Sequence, residues 1–278
     1  MDPSVNDALA NMDINEEDIM DTLPIGPNSS GRTALWSIHT PEDITKLIKR
    51  GCEVNHADGY GETALAYFCN SMSWHPYADY PAIVERLLHH GADQFLPDAD
   101  GAIAIEQFYP YLSGNGQDPQ YLSEVVELLL SQWTEEHFDK YATRTLREWL
   151  SESGEDDTQY AFECLNVFVE KFGASRVASV RDERGRTLLH FASGMIHSPH
   201  FKDYKKGYEF DQSPVKPLLD IGVDPNTRDV DNMTALDYVL KTLPPGSVTL
   251  PLAKEFRYIQ ELADAMGIDL VKTCGLVK

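Results

Sequence analysis

Apolar residues recur at three- and four-residue spacing in several stretches of the chain, and the stretches end alike. Residues 44–55, ITKLIKRGCEVN, residues 83–95, IVERLLHHGADQF, and residues 215–226, VKPLLDIGVDPN, each carry an apolar helical face. A glycine, a small or apolar residue and an acid come next in each. Residues 165–175, LNVFVEKFGAS, and 259–270, IQELADAMGIDL, are weaker copies. The spacing predicts helices stopped by left-handed caps at Gly51, Gly91, Gly173, Gly222 and Gly267. After VVELLLSQW the corresponding place holds Gln132, which predicts an irregular exit. Two further amphipathic helices are predicted around SESGEDD. One carries Phe138, Tyr141, Ala142, Thr145, Leu146, Trp149 and Leu150, and the other Tyr160, Ala161, Cys164, Leu165, Phe168, Val169 and Phe172.

A second phrase precedes most of these helices. NSSGRTAL at 28–35, DGYGETAL at 58–65, DADGAIAI at 98–105, DERGRTLL at 182–189 and DVDNMTAL at 229–236 share one pattern. Asp or Asn comes first, Gly or Asn three places on, then Thr or Ile two places after that. An aspartate there can accept from its own backbone two residues on and so fix a turn. Gly31, Gly61, Gly101 and Gly185 fit a left-handed position, and Asn232 is the next most tolerant residue. Thr33, Thr63, Thr187 and Thr234 sit where a hydroxyl can cap a helix, and Thr234 with Asp237 has capping-box spacing.

Turn, short helix, loop, longer helix and glycine stop make one unit. The unit resembles the ankyrin repeat, over roughly residues 31–270, and among the five phrases the His of the family's opening survives only as His190. Proline of the family's opening is replaced by Ala34, Ala64, Ala104, Leu188 or Ala235. The resemblance implies an all-α repeat array, with His190 locking its turn by hydrogen bonding rather than serving catalysis. Six units are expected, at 31–56, 57–96, 97–132, 133–178, 179–227 and 228–272, the fourth lacking the opening phrase. Residues 1–30 precede them and 273–278 form a tail.

Unit lengths are uneven. From the Thr position to the stop glycine the family runs about 21 residues, whereas Thr63 to Gly91 is 28, Thr187 to Gly222 is 35 and Thr234 to Gly267 is 33. Three insertions, 70–82, 106–121 and 193–214, hold seven of the thirteen tyrosines. Trp74, Tyr77, Tyr80, Tyr109, Tyr111, Phe201, Tyr204, Tyr208 and Phe210 are the partner-binding candidates among them, because rigid rings give contact area at low entropy cost. The other expectation is that such rings cover the stack itself.

Charge narrows the choice of partner. The 278 residues hold 45 acids against 23 Lys and Arg, for a net charge of −22. That charge repels nucleic acid and anionic membranes and favours a protein with a basic surface; plain solubility explains it equally. Residues 1–31 carry seven acids and no Lys or Arg, unlike a signal peptide. Val5, Leu9, Met12, Ile19 and Leu23 at near-helical spacing favour a capping helix there, over a frayed tail or an interaction segment. Cys52, Cys69, Cys164 and Cys274 have no paired spacing, so free thiols and a cytoplasmic, monomeric protein are expected. His197 and His200 have no further ligand at metal-site spacing, and Lys202, Lys205 and Lys206 adjoin them. No cofactor, metal or enzyme signature is present. The expectation is a non-catalytic scaffold binding, and in one form inhibiting, a basic protein, as an immunity-type toxin inhibitor would. An adaptor, a host-targeting effector, or an enzyme with a site in 193–214 are the alternatives.

Overall fold

A computed structural model describes residues 22–38, 40–71, 79–108, 119–152, 158–195, 215–242 and 257–270. Its chain forms two compact units, residues 1–129 and 130–278. The described residues contain helices and turns; their one β-bridge is antiparallel, between Ala57 and Thr63.

The first unit holds a 3-10 turn, Ala34–Ser37, then helices α1 Pro41–Lys49, α2 Ala64–Ser71 and α3 Tyr80–His89, and most of α4 Pro119–Ser131. Helix α1 starts where Thr40 accepts from the Asp43 N–H at 3.4 Å and Pro41 occupies the first turn, a position that needs no N–H. Asp79 caps α3 in the same way, accepting from the Ala82 N–H at 3.2 Å. Ile44 and Leu47 of α1, Leu65 and Phe68 of α2, and Ile83 and Leu87 of α3 are all buried. Tyr80 belongs with them. It is 1% exposed and packs edge-on against Phe68, with centroids 6.3 Å apart, so it is a core residue and not a partner-binding one. Tyr80 is the first residue of α3, directly after the Asp79 cap.

The second unit holds α5 Glu135–Glu152, α6 Thr158–Phe172, α7 Ala174–Ala178, α8 Leu188–Met195, α9 Lys216–Asp220, α10 Ala235–Thr242 and α11 Arg257–Ala265. Helix α8 packs between α5 and α10, and α11 covers α9 and α10. Phe168 of α6 lies at the middle of an aromatic cluster. Trp133 and Trp149 meet it edge-on at 5.6 Å, and Phe138 and Phe172 close it at 6.4 and 6.2 Å.

Four helices end on one backbone device. The Gly51 N–H donates to the Ile48 carbonyl at 2.9 Å and the Cys52 N–H to that of Leu47 at 3.0 Å. The pairs repeat at Gly91 and Ala92, Gly222 and Val223, and Gly267 and Ile268. This is the Schellman arrangement, and the residue after the glycine is buried at Cys52, Ala92 and Val223. Gly173 also ends α6 in the left-handed region, at φ 85°, but through a single bond from its N–H to the Val169 carbonyl at 2.8 Å, and it leads directly into α7. At Gln132 the exit is a turn, with the Trp133 N–H on the Leu130 carbonyl at 2.9 Å.

Two of the openings lack the α-helix expected of them. Thr33 makes no cap hydrogen bond, its hydroxyl is buried without a partner among the described residues, and only a single 3-10 turn succeeds it. Residues 103–108 form turns closed by the Glu106 and Gln107 N–H groups on the Ile103 carbonyl, at 2.9 and 3.2 Å. No threonine is available at 103, and the Glu106 carboxylate accepts from the Ile103 N–H at 3.0 Å in its place.

Candidate functional site

The five repeated phrases fold into one turn built five times. Oδ1 of Asn28, Asp58, Asp98, Asp182 and Asp229 accepts from the backbone N–H two and four residues on, at 2.8–3.1 Å. The residue at the fourth place, Gly31, Gly61, Gly101, Gly185 or Asn232, donates to the carbonyl of the first at 2.9–3.0 Å. Its φ lies between 60° and 79° in every copy.

Within each unit the turns stack. The Gly59 N–H donates to the Ser30 carbonyl at 3.5 Å and the Ala99 N–H to the Tyr60 carbonyl at 2.9 Å in the first unit. The Val230 N–H donates to the Arg184 carbonyl at 2.9 Å in the second. Side chains reinforce the stack. Arg32 places Nε 3.0 Å from Asp58 and Nη2 2.9 Å from Glu62, while its plane lies over the Tyr67 ring. Burial pushes the Glu62 carboxyl above its ordinary range, against the pull of Arg32. Arg184 pairs with Asp231 across successive turns. Burial would raise the Asp229 carboxyl, yet the Tyr238 hydroxyl at 2.6 Å and the Met233 and Asp231 N–H groups hold it below its usual range.

Two large apolar side chains stand out of these turns. Tyr60 is 75% exposed and Val230 67% exposed, each beside the aspartate that fixes its turn. Sequence reasoning misses both; the available signal is a large apolar residue at the second or third turn place, held elsewhere by Ser, Gly, Ala or Glu and by Ser, Asp or Arg respectively. Asp100, Glu183, Arg184 and Asp231 are the exposed charged neighbours on the tips. Trp74, Tyr77, Tyr109, Tyr111, Phe201, Tyr204, Tyr208 and Phe210 lie outside the described residues. Of the other insertion aromatics, Phe108 is buried and Tyr121 is 42% exposed.

His190 is spoken for on both nitrogens. The Thr187 N–H donates to Nδ1 at 3.0 Å, with Thr187 Oγ1 2.9 Å from the same atom, and Nε2 lies 3.1 Å from the Met233 carbonyl. An N–H only donates and a carbonyl only accepts, so the ring is the neutral Nε2–H tautomer. Thr187 therefore pairs with His190 and does not cap α8 through its hydroxyl. The same lock recurs with other residues. The Thr134 N–H donates to Nδ1 of His137 at 3.1 Å, and the Thr234 N–H to Asp237 at 2.9 Å. Thr134 and His137 escape notice as an opening because no Asp-x-x-Gly turn precedes them. Thr63 and Thr234 do cap their helices, accepting from the N–H groups of Ala66 and Asp237 at 3.2 Å.

Burial lowers the His190 imidazole below its ordinary value of 6.5, the Met233 and Asp229 contacts notwithstanding. The folded state then binds fewer protons than the unfolded one in the window just under 6.5, so stability falls as pH drops through it. His190→Leu is expected to lower stability by about 1–3 kcal/mol at neutral pH and to flatten the slope between about pH 7.5 and 5.5. Urea unfolding at both pH values measures this, and an unchanged slope would contradict the neutral tautomer.

Chemistry elsewhere is spare. Cys52, Cys69 and Cys164 are free and buried, and burial pushes the Cys69 thiol up to about 12. Cys274, His197 and His200 lie outside the described residues, and among the described ones no cluster of three or more His, Cys, Asp or Glu could hold a metal. No described helix is long and apolar enough to cross a membrane.

Aspartate-fixed turns in register, helices behind them and Schellman exits together define the all-α ankyrin-repeat fold. The chain is 29% identical over 149 residues to the ankyrin repeat domain-containing protein SAT10 of Stachybotrys chartarum, a match covering 54% of this chain. The chain spans only 6% of the length of that relative. Among solved structures, the ankyrin repeat domain of Bcl-3, described as a member of the IkappaB protein family, aligns with TM-score 0.50 and 19% identity. That alignment covers 76% of this chain and 79% of the other. The ankyrin repeat protein EF0377 aligns with TM-score 0.50 and 17% identity, over 85% and 98%. No family model matches the chain.

Proposed function

We propose that the chain is a non-catalytic protein-binding scaffold of six repeat units with the boundaries expected above, and that its partner carries a basic surface. Inhibition of such a partner, in the manner of an immunity-type toxin inhibitor, is the form that suits the charge best. The supporting observation is the exposure of Tyr60 and Val230 on turns whose backbones are already fixed by hydrogen bonds. An apolar anchor held on a rigid frame loses little entropy on binding. The net charge of −22 adds long-range attraction for a basic protein.

The test is capture from native lysate on the immobilised full chain at low and high salt, with Tyr60→Ser and Val230→Ser variants alongside. A basic protein is expected, recovered less as salt rises and less by each variant, while the surface substitutions change folding stability by no more than about 0.5 kcal/mol. Recovery of no basic protein, or recovery indifferent to both salt and substitution, would reject the proposal.

A further inference from the structure

On a strongly acidic chain, the outer side of the first unit carries a basic patch. Thr45 of α1 touches two residues of α3 and its cap: its hydroxyl lies 2.9 Å from Nε2 of His90, and the Arg86 guanidinium donates to it at 3.4 Å. The imidazoles of His89 and His90 lie 5.6 Å apart. Lys49 is one helical turn beyond Thr45 and faces the same neighbours, with Lys46 beside it. Burial, and then the positive charges of His89, Arg86 and Lys49, hold the His90 imidazole below its ordinary value.

Lys46, Lys49 and Arg86 make no ion pair among the described residues. Glu42 of α1, Glu85 of α3 and Glu53 beyond the end of α1 are exposed, and none forms an ion pair with them. A positive C-terminal turn suits the helix dipole, which explains one such residue per helix but not the convergence of two helices.

The chain's own acidic segment begins beside this patch. The Arg50 guanidinium donates to the Leu23 carbonyl at 2.8 Å, and the Cys52 thiol lies 3.7 Å from the Ile25 carbonyl. Residues 23 and 25 are therefore held against Arg50 and Cys52, just past the C-terminal end of α1. Residues 1–21 hold seven acids, Asp2, Asp7, Asp13, Glu16, Glu17, Asp18 and Asp21, and no Lys or Arg. The span to be covered is short: neighbouring packed helices lie about 10 Å apart, and even a helical segment of that length reaches roughly 30 Å.

We propose that residues 1–21 dock in cis on the basic patch formed by Lys46 and Lys49 of α1 and Arg86 of α3, seated there by charge. The tether makes the contact intramolecular, so weak individual ion pairs add up at high effective concentration. The docking is independent of the partner surface on the turn tips.

Hydrogen exchange of residues 1–21 in the full chain tests it, compared with the triple variant Lys46→Glu, Lys49→Glu, Arg86→Glu. Protection is expected in the parent and a loss of about tenfold in the variant and in high salt, the sum of a few exposed ion pairs. Protection that survives charge reversal and salt would mean apolar capping alone and would overturn the proposal, as would no protection in the parent. A zero-length carbodiimide cross-link needs no variant. It is expected to join Lys46 or Lys49 to an acid in 1–21 within one chain; cross-links only between chains, or none, would also overturn it.

Discussion

Phe168→Ala is expected to cost about 4 kcal/mol, the largest effect of any single truncation in the second unit. The side chain is 0% exposed and touches rings from three directions. Trp133 comes from the segment between α4 and α5, Trp149 and Phe138 from α5, and Phe172 from its own helix one turn on. Truncation removes the transfer energy of the ring and leaves a cavity whose walls are large, stiff and held on separate elements, so little collapse can refill it. Each edge-to-face pair lost adds about 0.5–1.5 kcal/mol beyond area. Phe168→Leu keeps much of the volume and is expected to cost about 1.5 kcal/mol. Urea unfolding tracked by tryptophan fluorescence measures both, since Trp133 and Trp149 report from the wall of the cavity. A loss under about 1 kcal/mol for the alanine variant would show that the cluster relaxes freely and does not hold α5 to α6.

Legibility in the sequence depends on the range over which each signal acts. The turn phrase and the glycine exits are readable because their chemistry is local: an aspartate oxygen reaches N–H groups two and four residues on, and a left-handed residue is needed three places on. Gly173 satisfies the same composition and ends α6 left-handed as well, while the residues beyond it turn at once into another helix, α7. The aromatic content of its insertion points Tyr80 to a binding edge, where the structure does not put it. Composition does not say which ring starts a helix, although Asp79 and Pro81 on either side do mark an N-terminus. Thr33 has the right type of residue for a cap, yet the element after it is a single 3-10 turn and Trp36 cannot accept at the third place on. The lock between Thr134 and His137 is hidden for the opposite reason: its residues are correct and its preceding turn is absent. Exposure of Tyr60 and Val230 is a property of the folded turn, and only their oddness of type is visible in the sequence.

Gly61→Ala and Gly91→Ala separate two costs that coincide at most turn glycines. Both positions have positive φ, 78° and 86°, and a Cβ in that region costs about 1–2 kcal/mol. Around Gly91 a Cβ meets nothing within 4 Å, so that cost is the whole of it. At Gly61 the added carbon comes within 3.0 Å of the Ala99 nitrogen and 3.1 and 3.2 Å of Asp98 backbone atoms. Backbone cannot swing aside as a side chain does, and here it is pinned by Asp98 Oδ1 on two N–H groups and by the Ala99 N–H on the Tyr60 carbonyl. Relief must come from separating the two turns, which breaks that inter-turn bond. Gly61→Ala is therefore expected to lose about 3 kcal/mol against about 1 for Gly91→Ala. Exchange of the Ala99 amide should accelerate in the first variant alone. Equal losses at the two positions would mean that the turns of the first unit do not approach closely enough to be coupled, and with that the rigid frame under Tyr60 would go.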